Sequence, residues 1–153
     1  MSFNDGLDGN LDKLVNEHCS SIKYLKTEIL DKRKEAETCL STLEEMEQMQ
    51  LLTDDLRQSF KNALKSAKEA IQDLQTKCEA FYDDGIKKIQ EAREEYRKKA
   101  EAISGTSFAG EVTSALNQRD SELNDMEQML EEAMDGVDDD DDSPKVLVKS
   151  LRR

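Results

Sequence analysis

His18 and Cys19 set an imidazole beside a thiol, the pair of groups that can activate a cysteine as a nucleophile. His18 is the sole histidine, so no other thiol and base pair can be built from neighbours in this chain. Adjacent residues on a helix point about 100° apart, which keeps the two side chains from the direct hydrogen bond that such chemistry needs. A histidine on the packed face of a helix, where it helps select what lies opposite, is the better reading. Cys39 and Cys78 fall on the same kind of face, where a thiol behaves as a small hydrophobe. Three scattered cysteines also argue for a reducing compartment, the cytoplasm or the nucleus, and against a disulfide framework.

The acidic run Asp138, Asp139, Asp140, Asp141, Asp142 invites comparison with a calcium loop. Counted from Asp138, the position that needs glycine is Ser143 and the one that needs glutamate is Lys149, so the loop chemistry is missing. Two basic triplets, Lys32-Arg33-Lys34 and Arg97-Lys98-Lys99, are flanked by carboxylates and read as solvated helix faces with local ion pairs. The residues therefore predict no catalytic group, no cofactor site and no metal site.

The elements that would carry these residues are helices. Charged residues make up 37% of the chain, aromatics 5%, and the one proline is Pro144, so nothing interrupts helix propagation before it. The net charge of −13 disfavours nucleic acid and anionic membrane, and no apolar run approaches the roughly 20 residues of a membrane span. Acid-before-base pairs such as Glu28 with Lys32, Asp73 with Lys77, Asp84 with Lys88 and Glu94 with Lys98 mark solvated faces.

A heptad seam runs through the chain. Val15, Ile22, Ile29, Ala36 and Leu43 occupy one seam position, and His18, Leu25, Lys32, Cys39 and Met46 the other. The seam turns polar at Gln50, Thr53 and Arg57, and Thr53 followed by Asp54 and Asp55 reads as a helix start after a turn near 50–53. It resumes at Phe60, Leu64, Ala67, Ile71, Leu74, Cys78 and Phe81. A four-residue shift then leads to Ile89, Ala92, Tyr96, Lys99 and Ile103, with Gly85 where the supercoil would relax; the helix is expected to continue through it, with or without a kink. After Ser104-Gly105 a third stretch carries Val112, Leu116, Arg119, Leu123, Met126, Leu130 and Ala133.

These patterns predict an all-α chain, an elongated coiled coil of two long helices and a shorter third. The expected helices cover about 11–50, 53–104 and 108–135, behind a flexible leader over 1–10 and ahead of a disordered acidic, then basic, tail over 136–153. An antiparallel hairpin with a third helix and an extended chain paired with another protein both satisfy the periodicity.

Polar groups on the seam, namely His18, Lys32, Gln50, Arg57, Lys99 and Arg119, would oppose their own kind in a parallel self-pair. A partner bearing acids would relieve them, so the seam predicts a hetero-oligomer with other coiled-coil proteins, poorly helical or ill-defined in oligomer state when purified alone. The tail offers a second interaction element. Acids precede Ser143 and the β-prone run Val146, Leu147, Val148, and residues 138–148 resemble a SUMO-interacting motif, which implies docking as an added strand. The functional expectation is a non-enzymatic structural subunit of a multi-protein coiled-coil assembly, of cytoskeletal, mitotic or vesicle-tethering type. The alternative is an acidic chaperone for basic clients such as histones, which salt would strip from the protein.

Overall fold

The computed structural model of the chain describes residues 3–137, with side chains described from Asn10 onward. Those residues are all-helical, in the order α1 (Phe3–Gln48), α2 (Asp54–Ile103) and α3 (Ala109–Met134), with no strand among them. The leader expected over 1–10 is helical from Phe3 onward. Once a helix is nucleated each added residue contributes one hydrogen bond, so Gly6 and Gly9 cost only about 1 kcal/mol each relative to alanine and do not stop it. The tail residues Asp138, Asp139, Asp140, Asp141, Asp142, Ser143, Val146, Leu147 and Val148 lie outside the described residues.

Two turns separate the helices. In the first, Gln50 takes φ of 60°, and Leu51 N–H bonds Met46 C=O at 2.9 Å. The hydroxyl of Thr53 then accepts the amide of Leu56 at 3.1 Å, the N-cap that the Thr-Asp-Asp sequence implied, with Asp54 and Asp55 at the positive end of the helix dipole. In the second, Gly105 at φ of +87° ends α2, and Thr106 Oγ1 donates to Ile103 C=O at 2.7 Å.

The described residues form two compact units. One combines the part of α1 up to Ile22 with Ala80–Met134, and the other combines Lys23–Glu79 with the segment that begins at Asp135. In the second unit, α1 and α2 pair antiparallel across the first turn. Ala36 packs with Leu64 and Ala67, flanked by Cys39 and Leu40, and Cys39 Sγ lies 3.8 Å from Phe60 C=O. Two alanines on facing helices let the backbones approach closely. Around them Ile29, Leu43, Ile71, Leu74 and Cys78 are buried, each large aliphatic contributing about 1.5–3 kcal/mol.

In the first unit three helical segments enclose a core of Val15, Cys19, Ile22, Ile89, Tyr96, Leu123, Met126, Leu130 and Ala133. The α2 segment runs unbroken through Gly85 as α-helix, the continuation that the sequence pattern implies. Gly85 is buried because Leu130 presses on it: a Cβ built there would lie 2.7 Å from Leu130 Cδ1 and 3.2 Å from Cδ2. Close helix approach, rather than relaxation of a supercoil, explains this glycine. The four-residue shift itself is visible in burial, which steps from Gly85 to Ile89 and then to Tyr96.

Candidate interaction surfaces

Thirteen apolar residues of the heptad seam are the candidates for its interaction surface, and all are at least half-buried. Val15, Ile22, Ile29, Leu43, Leu64, Ile71, Leu74, Leu123 and Leu130 are buried, while Leu25, Phe60, Phe81 and Leu116 are half-buried. Within α1 the first seam position is buried at every heptad from Val15 to Leu43, and the second is half-buried from His18 to Met46.

His18, Lys32 and Arg119 find charged counterparts inside the chain. His18 Nε2 lies 2.8 Å from Asp84 Oδ2, and its ring meets Phe81 at 5.2 Å between centroids, tilted by 55°. Arg119, buried on α3, donates to Asp12 Oδ1 at 2.8 Å, to Glu122, and to the Tyr96 hydroxyl at 3.4 Å. The acids expected from a partner opposite His18 and Arg119 are therefore Asp84 and Asp12 of the same unit. A one-dimensional seam could not reveal this, because the pairing depends on how separate helices are registered against one another. Lys32 meets Glu35 at 3.3 Å, Gln50 is exposed in the first turn, and Arg57 and Lys99 are half-buried.

The hydrogen bond from His18 holds the Asp84 carboxyl below its ordinary range against the opposing effect of burial, with help from the positive charge of His18, Lys88 and Lys87. A lowered folded-state pKa means that the pairing stabilises the protein above the unfolded value, near 3.8, and that this contribution fades as pH falls through the lower folded value. Acid titration of stability should show it. Asp84→Asn should flatten the acid limb below pH 4 by circular dichroism, and an unchanged limb would mean that the pair does not form.

Other ion pairs are local or decorate the α2 and α3 contact. Arg93 reaches Asp120 at 3.3 Å together with Asn124 and Glu127, and the bond to Glu127 holds its pKa up. Lys77 meets Asp73 at 3.2 Å as the spacing implied, but Glu94 is taken by Arg97 rather than Lys98. No cysteine forms a disulfide, and burial pushes the Cys39 thiol up, the opposite of what a reactive cysteine requires. Among the described residues no cluster of three or more metal-ligating side chains occurs, and no helix is long and apolar enough to cross a membrane. No protein-family model, curated protein or solved structure matches the chain.

Three surface features remain. A cavity of about 480 Å³ between α2 and α3, next to their connecting turn, is walled by Ala102, Ile103, Val112, Ala115 and Leu116, with Lys99 and Glu111 as its charged members. Phe108, in that turn, is 66% exposed. At the other turn Met49, Leu51 and Leu56 are exposed.

The third feature follows α3 and escaped the sequence pattern, which placed residues 136 and 137 in the tail. Gly136 takes φ of +85°, the left-handed conformation that closes a helix, and Val137 is fully buried. Val137 C=O accepts Gln75 Nε2 at 2.9 Å and Arg33 Nη2 at 3.4 Å, and Asp135 C=O accepts Lys26 Nζ at 2.7 Å. Arg33, read from sequence as part of a solvated triplet, is instead a partly buried anchor for this turn. The Asp135-Gly136 pair marks the helix end in the sequence, but a lone valine after glycine carries no period, so nothing there announces that Val137 is buried.

Proposed function

We propose that the protein is a non-enzymatic subunit of a coiled-coil assembly, cytoplasmic and of cytoskeletal, mitotic or vesicle-tethering type, and that the α2–α3 groove receives an apolar-seamed helix of a different protein. One observation carries this reading: the heptad seam continues into Ile103, Val112 and Leu116, yet there it is only half-buried, whereas farther along α3 Leu123 and Leu130 are fully enclosed. Half-covered seam positions at helical spacing suit a helix better than a flat or extended ligand. Lys99 and Glu111 at the groove favour an occupant with charges of both signs, and exposed Phe108 adds an aromatic anchor of the kind that dominates interface energetics. The raised Cys39 thiol and the engagement of His18 by Asp84 support a non-enzymatic role.

The test is site-specific photo-crosslinking in the native cell. A benzophenone side chain at Leu116 should give one discrete adduct with another protein, lost when Val112→Asp is added, while the same probe at exposed Ser114 gives none. Adducts to a second copy of this chain, or equal adducts from both probe sites, would overturn the proposal.

A further inference from the structure

We infer that the turn between α1 and α2 is a docking surface for a basic segment with an apolar face, carried by another protein. Among the described residues, three of the seven exposed large apolar side chains fall within this turn: Met49, 64% exposed, Leu51, 51% exposed, and Leu56. Apolar residues scattered singly over a surface need no explanation, whereas a cluster marks an interaction site.

The backbone of the turn holds these side chains out. Met49, Gln50 and Leu51 donate their amides to the carbonyls of Glu45, Glu47 and Met46 at 2.9, 3.1 and 2.9 Å, and Thr53 caps α2. The bonds of Gln50 and Leu51 are those of a helix-closing turn whose left-handed residue is commonly glycine. Gln50 fills that place at φ of 60°, a conformation less favourable for a residue with a Cβ than for glycine. Because the turn is fixed by its own bonds, docking loses little entropy in ordering it.

Charge selects the partner. Residues 44–57 hold five acids, Glu44, Glu45, Glu47, Asp54 and Asp55, against one base, Arg57. All five acids are exposed, and Arg57 is half-buried. The glutamates stand at the end of α1, where the helix dipole is negative and the last turn has no base. They reinforce that negative end instead of offsetting it, which disfavours the free helix and favours a cationic ligand. Acids bracket Met49 and Leu51 on both sides in sequence, so the complementary segment carries lysine or arginine on either side of an apolar contact. The same charges repel nucleic acid, anionic membrane and the acidic turn of a second copy. No residue of the α2–α3 groove takes part.

The test uses the full-length protein and three fluorescent peptides of about 14 residues, or about four helical turns. One combines lysine with leucine at helical spacing, one replaces the leucines with serine, and one replaces the lysines with glutamate. By anisotropy at about 0.05 M NaCl the lysine–leucine peptide should bind, the lysine–serine peptide about tenfold more weakly, and the glutamate–leucine peptide not at all. Met49→Ser with Leu51→Ser should weaken the lysine–leucine peptide about tenfold, and so should changing Glu44, Glu45 and Glu47 to glutamine. Asp31→Asn with Glu69→Gln and Glu79→Gln removes as much charge from exposed positions of the same unit and should change binding by less than about twofold. Equal losses from the two charge sets, no loss from the serine pair, or no binding of the lysine–leucine peptide would overturn the proposal. Flotation of the protein with phosphatidylcholine vesicles, abolished by the serine pair, would also overturn it in favour of a lipid surface. If the serine pair loses helix by circular dichroism, Met49→Ser alone decides: a loss of about threefold or more supports the site, and unchanged affinity overturns it.

Discussion

Leu123→Ala should lower the free energy of unfolding by about 3 kcal/mol, within the usual 2–5 kcal/mol for a leucine emptied from a closed core. Leu123 is completely buried, in the unit where α3 meets segments of α1 and α2. Leu116→Ala, seven residues earlier at the same seam position but half-buried beside the groove, should cost about 1 kcal/mol or less, since little area is removed from solvent there. Urea unfolding followed by circular dichroism measures both. Equal losses at the two positions would show that the seam is covered to the same extent along α3, and the groove would lose its meaning as an open site.

Gly85→Val should destabilise by about 1–3 kcal/mol through overpacking, even though valine is a slightly better helix former than glycine. The added atoms meet Leu130, whose side chain is wholly enclosed and has nowhere to swing. His18 Cδ2 lies 3.6 Å from the same point, so the strain should also reach the pairing of His18 with Asp84. Trimming the obstacle gives the sharper measurement. In a double-mutant cycle Leu130→Ala should cost less in the Gly85→Val background than alone, with a coupling of about 0.5–3 kcal/mol. Strict additivity would return Gly85 to the role of a helix-relaxing residue with no packing partner.

The contrast between these two predictions reflects what a sequence can express. Heptad spacing identifies which residues turn inward, because burial on a helix is periodic, and Leu123 stands out for that reason. The turn between α1 and α2 was legible too, since Thr53 and the aspartates after it satisfy local backbone and dipole demands. Gly85 was noticed but misread: its neighbour Leu130 is remote in sequence, and only the packing of α2 against α3 reveals that a Cβ would collide. The same limit applies to His18 with Asp84 and to Arg119 with Asp12, pairs set by how separate helices are registered against one another. An expected need for acids on a partner became ion pairs within the chain. Val137 and Arg33 lay beyond reach for a different reason, because one buried residue after a helix end has neither periodicity nor a charge pattern to announce it.

These intrachain pairings also change what the isolated protein should do. With most of the seam buried and His18 and Arg119 matched inside the chain, helix formation is expected without a second molecule, in place of the poorly helical or ill-defined oligomer that the seam pattern implied. Helicity at 222 nm, recorded on the purified chain from about 100 μM down to about 0.1 μM, tests this most directly, because folding that requires association is concentration-dependent. Burial within one chain predicts the same signal per residue at every dilution. A fall in helix content on dilution would show that the heptad seam is covered by another molecule instead.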